Sequence, residues 1–295
     1  MKNDEYVGIV VILGIIAIGL LGGSKNASNN GPFGNKNATP EQKQAIIARE
    51  INKTQTEVDK LKKQIQIEEA KKTESQYKGM VTLSYVNRSK NPSQEYIVIN
   101  VGNSAKTPIN VTGWSIHSTN TGTTVIIPKG TLLFFSGTIN LEEDIYLSSG
   151  DVMYLVTGIS PIGASFKINK CSGYLSQFQT FTPYISNNCP RPRDEADSLI
   201  SKIVVNDACF DYIESFPSCR AETKNLPVTW SYECTHFIND KLNYSSCINT
   251  HKGDKDFYKN EWRAYLKRSA RIWKDRRENI ILYDNLGKIV ATLTY

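Results

Sequence analysis

Histidine and methionine are scarce in this chain, with three of each in 295 residues. There is no G-x-S-x-G, so the strained turn that exposes a hydrolase serine is missing. There is no G-x-x-x-x-G-K-[S/T], so no phosphate-cradling loop of that type is present. With so few imidazoles, no Ser, Cys or Thr acquires an evident base and orienting group. Cysteine is also limited: six residues, all between 171 and 247. That is too few for a cysteine-dominated miniprotein, and the even count fits full pairing. Apolar residues at 40% and charged residues at 22% exclude a wholly disordered chain and a many-pass membrane protein.

What is present begins with Tyr6 to Gly23, an uncharged run of 18 residues. It would make about 27 Å of helix, near the minimum for crossing a bilayer. Lys2 is offset by Asp4 and Glu5, no A-x-A site follows, and no cysteine stands ready for lipidation. The reading is an uncleaved signal-anchor over residues 1–23, with a cleaved signal peptide or a buried helix as alternatives. Lys25 and Lys36 follow the run, so loop charge does not settle orientation. The cysteines do, because six of them behind such a leader point to an oxidising compartment. The expectation is a single-pass membrane protein with an extracytoplasmic head.

Residues 24–40 are rich in Asn, Gly, Ser and Pro and read as a flexible linker. Thr39 is a good N-cap and Pro40 suits a first helical position, which predicts a helix over 41–78. Its apolar seam is Ile47, Ile51, Thr54, Val58, Leu61 and Ile65, spaced 4, 3, 4, 3, 4. That is a heptad pattern, and its β-branched residues favour a parallel two-stranded coiled coil. A stalk that self-associates is expected; a solvated single helix is the plainer alternative.

Residues 79–295 are enough for a sizeable core. Glu95–Asn100, Pro108–Ile116, Thr123–Ile127, Asp144–Leu147 and Val152–Val156 read as short strands separated by turns. Glu278–Tyr283, a polar Asp284–Gly287 turn and Lys288–Tyr295 read as a closing hairpin. The spacing predicts a β-sandwich or barrel. The segments E-Y-I-V-I-N, P-I-N-V-T-G-W-S-I, I-I-P-K-G and G-D-V-M-Y-L-V, together with the hairpin, resemble the lamin tail domain. The resemblance implies a mainly β, immunoglobulin-like sandwich with Trp114 packed between its sheets. It also implies a prokaryotic membrane-anchored protein. The sandwich is then split, about 80–157 and 278–295, around an insertion of about 158–277.

The insertion holds all six cysteines, Cys171, Cys189, Cys209, Cys219, Cys234 and Cys247. A Cys171–Cys189 bridge would close an aromatic-rich loop containing Tyr174, Phe178, Phe181 and Tyr184. Those rings either form a small core or offer a stacking surface for glycan or peptide. Helices are expected over Asp194–Glu214 and Ser231–Leu242. They would nest Cys209–Cys247 around Cys219–Cys234, with Cys209–Cys219 and Cys234–Cys247 as the local alternative. Cys234 with His236 and Cys247 with His251 could instead form a zinc set, a weaker reading. No cofactor or metal is implied.

The formal net charge is +6, of which +4 falls in residues 261–295. Arg263, Lys267, Arg268, Arg271, Lys274, Arg276 and Arg277 interleave with Trp262, Tyr265 and Trp273. That composition suits a polyanion. At helical spacing the aromatics would fall on one buried face and the cations on the wet one. The leading expectation is a non-enzymatic surface protein whose head meets a protein or an anionic envelope polymer, with nucleic acid ranked lower. The alternative is an envelope hydrolase or a nuclease using the basic strip. It requires two or more of Glu142, Asp151, Glu233, His236 and Asp240 to converge in a pocket.

Overall fold

The computed structural model describes residues 39–200 and 207–295. The predicted anchor over 1–23, and the linker but for its last two residues, lie outside the described residues. Among the described residues, no helix is long and apolar enough to cross a membrane. The chain divides into units 1–69 and 70–295.

A helix of Pro40–Thr73, all but its last four residues in the first unit, starts at the proline suited to open it and carries Glu41 in its first turn. Ile51, Leu61 and Ile65 are 57%, 52% and 52% exposed. The helix stops at Thr73 rather than 78. Beyond it, the Ser75 N–H bonds to the Ile289 carbonyl and Glu74 bridges to Ile289, and turns at 76–77 and 79–80 take the place of further helix.

The second unit is mainly β. One sheet contains β1 (Val81–Asn87), β2 (Tyr96–Val101), β7 (Val152–Val156), β9 (Tyr258–Tyr265) and β8 (Phe166–Asn169), in that order. The other contains β11 (Ile289–Thr294), β10 (Asn279–Tyr283), β4 (Ser115–Ser118) and β5 (Thr124–Ile126). A short pair joins β3 (Ile109–Asn110) to β6 (Tyr146–Leu147). Inward residues alternate along β10, with Ile280 and Leu282 buried, as period-2 geometry requires. Ile97, Ile99, Met153 and Leu155 of one sheet join Ile116, Ile280, Leu282 and Val290 of the other in a single core. That is a sandwich arrangement.

Trp114 is 1% exposed within this core, against Tyr77 at 5.2 Å between ring centroids. Gly113 before it has φ +81°, and a Cβ there would meet Asn285 Oδ1 at 3.0 Å. Only glycine satisfies both conditions. The closing hairpin forms as read. Asp284 Oδ1 accepts from the N–H groups of Leu286 and Lys288, building the turn.

The sandwich takes in more of the chain than the segments 80–157 and 278–295. β8 and β9 lie inside the stretch assigned to the insertion. β9 runs parallel to β7, and parallel neighbours need a long crossover. The inserted residues supply it. They build a second core with Phe166, Tyr174, Phe181, Tyr244 and Tyr265, and a third with Ile213, Phe237 and Ile238.

All six cysteines are paired, but none of the expected pairs forms: neither Cys171–Cys189, nor Cys209–Cys247 with Cys219–Cys234, nor Cys209–Cys219 with Cys234–Cys247. The bridges are Cys171–Cys247, Cys189–Cys219 and Cys209–Cys234. Of the helix expected over 194–214, the described residues are helical over Pro192–Ile200 and Asp207–Ser215. Cys209, on the second of these, meets Cys234 on a helix of Tyr232–His236, capped by Ser231. Cys171, just after β8, meets Cys247 on a helix of Tyr244–His251. Bridges between elements this far apart in sequence constrain the unfolded chain more than local ones would.

Candidate polyanion-binding surface

Residues 261–278 do not form a helix. Through Tyr265 they are strand β9, buried on both faces. Trp262 and Ala264 enter the sandwich core, while Tyr265 enters the second core. The aromatics are internal as expected, but Trp262 and Tyr265 lie on opposite faces of a strand and Trp273 in the loop after it, not on one face of a helix. Arg263 is 2% exposed and is not a surface cation. It bonds Glu261, donates to the Pro183 and Tyr184 carbonyls, and lies 4.4 Å over the Tyr154 ring. It fastens the 183–184 segment to the sheet.

Residues 266–278 then form a loop held by two fully buried carboxylates. Glu95 accepts from the Ile272 and Trp273 N–H groups at 2.7 and 3.2 Å, and from the Thr157 hydroxyl at 2.7 Å. Glu278 accepts from the Lys274 and Asn279 N–H groups and from the Ser118 hydroxyl, each at 3.0 Å. Bonds from several donors offset the cost of burying each charge. The loop also holds Lys267 and Arg277 at φ 56° and 53°, a left-handed conformation uncommon for such residues.

The β1–β2 loop lies against it. Arg88 donates to the Asp275 carbonyl, and Arg271 donates to the Arg88 carbonyl at 3.4 Å. Arg88 also lies 4.8 Å over the Tyr295 ring. Between the loops runs an open groove of about 740 Å³, lined in part by Tyr85, Arg88, Gln94, Thr182, Asp275 and Arg276. The bonded Arg271 guanidinium holds the Asp275 carboxyl below the ordinary carboxylate range, with Arg88 and Lys90 adding to the effect. Asp275 is therefore an internal counter-ion.

The seven strip cations separate into two groups. Arg263 and Arg271 are structural, and Lys267 pairs with Glu142 at 3.8 Å. The side chains of Arg268, Lys274, Arg276 and Arg277 are exposed and have no hydrogen bond or ion pair among the described residues. Arg88 and Lys90 belong to this surface, and the strip reading missed them. The only local signal was two cations in the polar N-R-S-K-N-P turn.

The other candidates scatter. Asp151 is buried and pairs with Lys167 at 3.2 Å. Glu142 faces Lys267, and His236 bonds Asp240 one turn along on the exposed surface. Glu233 is exposed. None of the five lines the basic groove or the cleft beside Phe178. The zinc set is overturned because Cys234 and Cys247 are spent in disulfides, leaving no thiolate to ligate. His251 instead lies between Glu195 and Asp254, at 3.0 and 2.9 Å.

Comparison with family models, curated proteins and solved structures finds no match for this chain.

Proposed function

We propose that this chain is a non-enzymatic, membrane-anchored extracytoplasmic protein that binds an anionic envelope polymer through the two-loop surface. The observation that carries it is the combination of Lys274, Arg276 and Arg277, unpaired among the described residues, with a backbone cemented by buried Glu95 and Glu278. Cations left without internal partners on an ordered loop are placed to neutralise an external polyanion. The three disulfides support an oxidising compartment. The buried Trp114 and the closing hairpin support an immunoglobulin-like, lamin-tail-like head. The half-exposed seam of Ile51, Leu61 and Ile65 supports a coiled-coil stalk behind an anchor at 6–23.

The test is retention on heparin and on immobilised polyphosphate, as probes for a polyanion. The wild type is expected to elute at a higher salt concentration than a Lys274→Gln/Arg276→Gln/Arg277→Gln variant. The salt slope should flatten by about one for each engaged cation that is neutralised. Equal elution of the two proteins overturns the reading.

A further inference from the structure

A second recess lies between the inserted region and the 134–137 segment. It encloses about 510 Å³, within the roughly 300–1,000 Å³ of small-ligand sites. Tyr174, Phe178, Phe134 and Tyr244 supply rings to its lining, and no charged side chain takes part. Phe178 is 66% exposed although it lies among buried aromatics. Its neighbours Tyr174 and Phe181 are core residues, so the dense aromatics of this segment divide between a core and an open ring.

The walls are cross-linked to one another. The Cys171–Cys247 bridge ties the 3₁₀ turn of Ser172–Gln177 to the Tyr244–His251 helix. The Tyr244 hydroxyl donates to the Phe134 carbonyl at 3.0 Å. Gln177 exchanges two hydrogen bonds with the Ala221 backbone, at 2.7 and 2.9 Å. The recess is therefore preorganised, which lowers the ordering cost of binding.

Gln177, Asn243 and Tyr244 in its lining are bonded internally, while its other polar side chains are neutral and unspent. The Gln179 carboxamide and the hydroxyls of Ser136, Ser245 and Tyr174 make no hydrogen bond among the described residues. Tyr174 is 7% exposed, and burial pushes its phenol up to about 12, so it remains a proton donor. An open aromatic face beside a carboxamide and several hydroxyls matches a sugar ring, which offers an apolar C–H face and a rim of hydroxyls. A charged ligand would find no counter-charge here, and a purely apolar one would leave the donors unpaired.

We propose that this recess is a saccharide subsite, with Phe178 stacking on a sugar ring and Gln179 bonding its hydroxyls. Gln179 and Thr182 line the recess and the basic groove respectively. Three residues of chain put their Cα atoms at most about 11 Å apart. The subsite is independent of the polyanion reading.

The test is calorimetric titration and saturation-transfer NMR of the full chain with two neutral probes, the β-1,4-linked tetramers of N-acetylglucosamine and of glucose. Binding of at least one is expected, unchanged at about 0.5 M salt. It should weaken about tenfold or more in Phe178→Ala and in Gln179→Ala, both exposed positions, and persist in the Lys274/Arg276/Arg277 variant. That last variant separates the two sites. No binding of either probe at about 10 mM, binding retained in Phe178→Ala, or binding of apolar peptides instead would each overturn the proposal.

Discussion

At the scale of single residues, two carboxylates govern the proposed surface from below. Glu95 and Glu278 are fully buried, yet both spend their oxygens on backbone N–H groups of one loop. Removing Glu95 leaves the Ile272 and Trp273 donors and the Arg271 guanidinium without it. Glu95→Ala is expected to cost about 3–5 kcal/mol of stability, measured by urea denaturation. Glu95→Gln should cost less, since one acceptor oxygen remains. The same variant should speed amide exchange at 272 and 273 before any other core position. A neutral result for Glu95→Ala would mean that the loop stands on its own contacts. None of this was legible in the sequence, where Glu95 was only the first residue of a strand and Glu278 one of three acids among the cations. A carboxylate's partners here lie up to 178 residues away.

At the scale of elements, the cluster around Lys170 couples the end of β8 to the inserted helices. Lys170 bonds Asp254 at 2.7 Å and Asp256 at 2.6 Å, and His251 lies between Asp254 and Glu195. Lys170 bonding holds both aspartates below the ordinary carboxylate range, with His251 adding to Asp254, while the aspartates raise Lys170. A depressed carboxyl contributes stability above its unfolded pKa and loses it as pH falls through the folded one. A raised ammonium contributes below its unfolded pKa and loses it as pH climbs through the folded one. The melting-temperature difference between wild type and Lys170→Met should therefore be widest at neutral pH. It should close as pH falls below about 4 and again as it rises above about 10.5. A difference constant across that range would exclude the ion pairs as its source. Element type was readable where one face is wet, as in β10 and the closing hairpin. It was misread for β9, because a strand buried on both faces carries no alternation. Its Arg263 looked like a surface cation until Pro183, Tyr184 and Tyr154 enclosed it.

At the scale of the whole molecule, the seam of Pro40–Thr73 bears on assembly. Ile51, Leu61 and Ile65 are about half exposed along one heptad stripe. Sedimentation of the full chain in detergent should give a dimer, and Ile51→Glu with Leu61→Glu should give a monomer that keeps heparin retention per chain. A monomeric wild type would remove the coiled coil from the proposal.

The sequence by itself determined the local, periodic features. They are the helix opening at Pro40, the mainly β head, the terminal hairpin, the pairing of all six cysteines and the gathering of positive charge near the C-terminus. Each depends on neighbours within a few residues or on a simple count, so composition and spacing carry it. Only the tertiary structure decided which cysteine meets which, that β8 and β9 complete the first sheet, and which cations are structural. It also brought Arg88 beside Arg276, and Phe178 beside Tyr244. These are meetings of distant segments, set by how the sheets and cores pack, and the chain order of the residues does not encode them locally.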